Sequence, residues 1–171
     1  KGNFNEKEYI TRLQNLIKTV RNPGLRALLE TIFSGAIYDK FIMNPAGMRM
    51  HHAYIGGLLQ HSVDVAGIAI ALAEQIGNVD KDLVVAGALL HDIGKLREIS
   101  SQIGFPYTNE GRLLGHIAMS VMMVQEAAAK LKLPQARLEQ LQHILLSHHG
   151  DNEKGSPVVC ATKEAFIVHY A

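Results

Sequence analysis

The sequence predicts an all-α fold, a single helical bundle, on three observations. Apolar residues recur at three- and four-residue spacing along nearly the whole chain, and helix-capping signatures fall between those runs. No segment shows the period-two alternation of a strand. A chain of 171 residues, 47% hydrophobic and 19% charged, fits one globular domain with a real core rather than a disordered segment. We take 1–171 as that one domain, with a helical lead-in over about 1–44 and a core over about 45–171.

The elements follow in order. Tyr9, Leu13, Leu16, Ile17 and Val20 mark a first amphipathic helix, and Leu25, Leu28, Leu29, Ile32 and Phe33 a second after Asn22-Pro23. Asparagine before proline is a cap followed by a first-turn residue; Asn44-Pro45 repeats it, and Pro134 opens a later run, so three helix starts are expected. A helix over about 53–76 puts Leu58, His61, Val65, Ile68, Ala69 and Leu72 on one stripe, ended by Gly77-Asn78. Asp80 caps the next, which runs through "LVVAGALL" to "HDIGK", where Gly94 breaks it. Residues 99–110 read as loop, followed by helices over about 110–131, 134–147 and from 162, with the polar loop "HGDNEKGSP" before the last.

Composition excludes several classes. Seventeen basic against sixteen acidic residues give +1, so no global field calls for a polyanionic partner. The first fifty residues carry eight basic and four acidic groups, a tilt read as a solvated helical face ahead of a nucleic-acid contact. A single cysteine, Cys160, rules out an internal disulfide, fits a cytoplasmic location and is read as packing. The longest apolar run is too short for a membrane span, so no membrane partner is expected. No phosphate-binding P-loop or nucleophile elbow occurs, and Cys160 lacks an activating context.

The chemistry lies in the histidines, which fall at 51, 52, 61, 91, 116, 143, 148, 149 and 169. Each alone reads as a core or capping histidine. Together, His61, His91, Asp92, His116 and His148 each occupy a different helix or helix end, and a bundle turns such residues toward one place. Several neutral imidazoles buried with one carboxylate repel if they charge and go unsatisfied if they do not; a divalent metal removes both problems. Nitrogen and oxygen donors without thiolate favour Mn, Fe, Ni, Co or Zn, with Mg a poorer match. Asp92, with two oxygens, is the candidate bridge between two ions about 3.5–4 Å apart, an arrangement suited to phosphoryl displacement.

These residues carry a resemblance. His61, "HD" at 91–92, His116 and "SHHG" at 147–150 look like the HD superfamily of metal-dependent phosphohydrolases. The strings "MHHAYIGGLLQHS", "AGALLHDIGK", "YTNEGRLLGH", "LSHHG" and "EAFIVHYA" resemble, in order and spacing, the HD domain of YhaM-type 3′-to-5′ exoribonucleases of bacteria, over about 45–171. The resemblance implies an HD-domain helical bundle in which His61 and His91 hold a first metal, Asp92 bridges, and His116 with His148 hold a second. It makes His149 a further ligand or a phosphate contact, and it carries the phosphate-facing lysine of "HDIGK" over to Lys95.

The chain also departs from that pattern. The family's last ligand is an aspartate directly after "HYA", whereas this sequence ends at Ala171, and the OB-fold that precedes the domain in that family is not present upstream. The first residue is Lys1 and the last stretch reads as uncapped helix, so a piece of a longer protein is expected. Members that cleave cyclic dinucleotides carry an acidic residue one turn before the first histidine and a Gly-Tyr-Pro after the paired histidines. Here Gly57 and "DNEKGSP" stand in those places, which points to two metals at most.

The expected activity is therefore hydrolysis of a phosphodiester by metal-activated water. Asp92 and Lys95 carry the catalytic roles, and the substrate expected is single-stranded RNA, or DNA, trimmed from its 3′ end. The alternatives are a phosphohydrolase of nucleotides or cyclic dinucleotides, and a non-catalytic module binding metal or nucleotide. Arg112, four residues before His116 and so on its helical face, is a candidate phosphate contact. Tyr107, or Tyr54, is a candidate for stacking on a base. His51 and His52 lie ten and nine residues before His61, about 14–15 Å along a continuous helix, so His52 is taken as a substrate contact rather than a ligand. A homo-oligomer is left open.

Overall fold

The computed structural model describes residues 4–47, 53–100 and 102–171. Its elements are α1 (Glu6–Thr19), α2 (Pro23–Ile32), α3 (Gly35–Met43), α4 (Gly57–Ile76), α5 (Lys81–Leu90), α6 (Lys95–Glu98), α7 (Asn109–Leu131), α8 (Gln135–Ser147) and α9 (Lys163–Tyr170). The only strand-like feature among the described residues is an isolated bridge between Ile99 and Tyr107. The fold is all-α, as expected.

The hydrophobic pattern decides who sits at the centre. Every residue of α5 from Leu83 to Leu90 is buried. A helix apolar on all sides has to be enclosed, and α1, α2, α4, α8 and α9 pack around it. Asp80 caps α5, accepting from the Leu83 backbone N–H at 3.1 Å, and its carboxylate also pairs with Arg137 of α8. The Asp80 backbone N–H donates to Glu164 of α9, so three helices meet at one cap. The opposite end of α5 delivers His91 and Asp92 into the middle of the molecule.

Four sequence expectations are corrected. Asn44-Pro45 does not start a helix: Asn44 closes α3, its N–H bonding to the Lys40 carbonyl, and the next described helix begins at Gly57. The Asn44 side chain is buried and donates to the Lys95 carbonyl at 3.4 Å, so it ties α3 to α6 instead of capping. The helix expected over 53–76 begins four residues late, after a turn through Gly56 with φ of 83°. Ile68 of the expected apolar stripe is half exposed, whereas Leu58, Val65 and Ala69 are buried.

Gly94 supplies the fourth correction. The α5 helix ends at Leu90, and Gly94 itself has ordinary right-handed dihedrals, φ −62° and ψ −18°. It is there for space: a Cβ would lie 2.6 Å from the Ser120 backbone nitrogen, against the wall of α7. Cys160 is buried packing, with its thiol on the Ser147 carbonyl. No described helix is long and apolar enough to cross a membrane.

Candidate metal centre

Each functional side chain arrives at a helix end or break. His61 lies in the second turn of α4, and His91 caps the C-terminus of α5 with Asp92 next in the following turn. His116 follows the one non-helical residue of α7, Gly115, at φ 75° and ψ 157°. His148 caps the C-terminus of α8, with His149 next to it.

The Asp92 carboxylate is the hub. Its Oδ2 is 3.3 Å from Nε2 of both His61 and His91 and 3.0 Å from Nζ of Lys95. Its Oδ1 is 3.3 Å from Nε2 of His116 and 3.5 Å from Nε2 of His148. Two groups could hold a metal among the described residues: His61, His91 and Asp92, and His116, His148 and His149. Within each, the donor atoms lie within 4.8 Å of one another. One carboxylate oxygen faces each group.

The family model of the HD domain matches residues 58–171, a span that contains all six of these residues. The chain belongs to the HD-domain family. A second family model, the HDOD domain, matches residues 8–101, and both place the chain in the HD-domain phosphohydrolase superfamily. Among solved structures none matches the chain.

The donors of this HD domain fit a divalent cation on their own chemistry. His91 Nδ1 lies 2.6 Å from the Ala88 carbonyl, and His148 Nδ1 lies 2.7 Å from that of Leu145. A carbonyl only accepts, so each Nδ1 carries its proton and each Nε2 presents a lone pair to the centre. Those lone pairs face an aspartate that also has only lone pairs to offer. Asp92 Oδ1 and His148 Nε2 are in fact buried with no hydrogen-bond partner among the described residues. Orphaned acceptors converging on one point are costly without a cation between them. HD-domain proteins bind divalent metals, and the two groups around Asp92 could hold them.

Without metal the charges sort by environment. Burial pushes the Asp92 carboxyl up, but His91, Lys95 and the imidazoles of His116 and His148 outweigh it and hold it well below the usual range. Burial lowers His91 despite the adjacent aspartate. His116 is pushed down by burial yet carried up to about 9 by Asp92 and Glu98. His149 is driven down to about 4 by burial, then by His148 and His116.

The remaining candidates fare differently. His52, like His51, lies outside the described residues. Arg112 is exposed, and the break at Gly115 separates it from His116, so the argument that both share one continuous helical face does not hold. Tyr107 is 45% exposed, with its backbone paired to Ile99. Tyr54 donates from its hydroxyl to Gln60 and packs on Phe4. Sequence reasoning missed Ser120, whose hydroxyl accepts from the Gly94 N–H at 2.8 Å and fastens the His-Asp turn to α7. It also missed His169, which lines a cleft with His61, Asp92 and Lys95 and whose Nδ1 lies 2.9 Å from the His148 carbonyl. The one sequence signal for Ser120 is its spacing, one helical turn after His116.

Proposed function

We propose that this HD domain hydrolyses phosphodiesters, with the 3′ end of single-stranded RNA, or DNA, as its substrate. The observation that carries the reading is Asp92, with one oxygen toward each histidine group and Lys95 at 3.0 Å from Oδ2. The adjoining cleft, about 310 Å³, falls at the lower end of the size range of small-ligand sites.

His61 and His91 with Asp92 would hold one divalent ion, and His116 and His148 with His149 a second, of Mn, Fe, Ni, Co or Zn rather than Mg. Bound there, such ions would lower the pKa of water to near neutrality and offset phosphate charge. The protein's own groups do the positioning. The backbone carbonyls of Ala88 and Leu145 hold the rings of His91 and His148 in one tautomer. Lys95, only 18% exposed at its side chain, brings a positive charge to a non-bridging phosphate oxygen as water attacks phosphorus and the bond to the leaving oxygen breaks.

A second reading, a non-catalytic regulatory module, is favoured by the HDOD match over 8–101. Against it, His116 and His148 lie beyond that match and still converge on Asp92. The purified protein with Mn²⁺ is to be incubated with end-labelled oligoribonucleotide, oligodeoxyribonucleotide, mononucleotides and cyclic dinucleotides. Stepwise shortening of an oligomer from its 3′ end is expected. Turnover of the small nucleotides alone would replace the proposal with a nucleotide phosphohydrolase, and metal binding without any turnover would favour the regulatory reading.

A further inference from the structure

His91, His116 and His148 around Asp92 are not held in the same way. His91 and His148 each cap the C-terminus of a helix, where the last carbonyls lack intrahelical partners, so a ring N–H finds an acceptor three residues back. His116 has no such partner. It stands at the N-terminal end of the second half of α7, just past Gly115, and a helix N-terminus offers unpaired N–H donors, not carbonyls. Its acceptor has to come from elsewhere.

Glu98, the last residue of α6, supplies it. One carboxylate oxygen, Oε1, accepts from the His116 backbone N–H at 3.3 Å, and the other, Oε2, lies 3.3 Å from His116 Nδ1. The side chain is 12% exposed. Its backbone is locked: the Glu98 carbonyl accepts from the Thr108 N–H at 2.9 Å, and Gly111 packs so closely that a Cβ there would lie 2.8 Å from the Glu98 Cα. The adjacent Arg97 turns to Glu110 and leaves Glu98 to His116.

We propose that Glu98 is the positioning residue of the second metal group, clamping ring and backbone of His116 with one carboxylate across the break at Gly115. The inference rests on the two-metal reading above. The clamp fixes the proton on Nδ1, aims Nε2 at Asp92 and makes the imidazole a stronger donor, as carboxylate partners of metal-bound histidines do. Because it also caps the second half of α7, ring orientation and helix start are set by the same two oxygens.

Glu98→Gln can satisfy only one of the two donors at a time through its single carbonyl oxygen. In a His61→Ala background, Co²⁺ titration followed by visible absorption reads binding at the His116 group alone. Affinity is expected to fall about 10- to 100-fold in Glu98→Gln, with the circular dichroism unchanged. Metal-free ¹⁵N spectra recorded well above the His116 pKa of about 9, where the ring is neutral, are expected to show it held with Nδ1 protonated in the parent and mixed between tautomers in the variant. Glu98→Asp, one methylene shorter, is expected to behave likewise, and it serves if Glu98→Gln does not fold. Co²⁺ affinity within twofold of the parent together with unchanged ring shifts would overturn the proposal. If the parent binds no Co²⁺, the two-metal reading fails instead, while the metal-free ring shifts still decide whether Glu98 holds His116.

Discussion

Asp92 concentrates the chemistry of this molecule in one carboxylate. Asp92→Asn removes the charge that both histidine groups share while preserving volume. Metal content by elemental analysis is expected to drop from two ions per chain to one or none, with the far-ultraviolet dichroism kept. A variant that retained two ions would sink the bridging role. The histidines nearby make the metal-free protein sensitive to pH in both directions. His149 lies near 4 against 6.5 in the unfolded chain, so its contribution is lost as pH falls from 6.5 toward 4. The depressed Asp92 acts in the same sense on the acid side. His116, raised to about 9, contributes fully below 6.5 and loses that contribution as pH rises through about 9. Thermal melts in EDTA are therefore expected to peak near pH 6.5. A bound cation replaces the proton on His116, so added metal should flatten the alkaline decline. A melting temperature that kept rising from pH 6.5 to 9 in EDTA would contradict the assignment.

Helix ends do most of the positioning, and here sequence patterns are read with uneven success. Asn22-Pro23, Asp80 and Thr162 mark boundaries correctly because capping is local: the side chain that signals the boundary bonds three residues away, as Asn22 does to the Leu25 N–H, and Gly77 ends α4 through its own backbone at φ 71°. Asn44 misleads for the opposite reason, since its amide is used 51 residues away on Lys95. Gly94 misleads in another way. A glycine after an apolar run looks like a helix stop, and only the proximity of α7 shows that it is a point of closest approach. Gly94→Ala is accordingly expected to destabilise by about 1–3 kcal/mol, the usual range for forcing atoms into packed space, and to weaken metal binding by pushing Asp92 away from His116. Denaturant titration beside metal titration checks both; a loss under about 0.5 kcal/mol would show that α7 can yield.

Across the whole molecule, the bundle and the metal site support each other. The candidate ligands come from α4, the end of α5, α7 and the end of α8, so a cation that binds only the folded chain should stabilise all of it by mass action. At a hundredfold excess over Kd the gain is about 2.7 kcal/mol. Differential scanning with Mn²⁺ or Zn²⁺ should raise the melting temperature, and EDTA should reverse it; no shift with either ion would argue that the orphaned acceptors are met in some other way. The all-α class, the buried α5 and the convergence of His61, His91, Asp92, His116 and His148 are legible in the linear pattern. Apolar periodicity reports burial, and chemically awkward residues at the ends of buried helices report a shared partner. Three things are not legible there: which Asp92 oxygen faces which histidines, the break at Gly115 that detaches Arg112 from the face of His116, and the pairing of Glu98 with His116. Each depends on how one helix end meets another, a matter of a few ångströms set by packing between segments distant in sequence, for which a linear pattern carries no ruler.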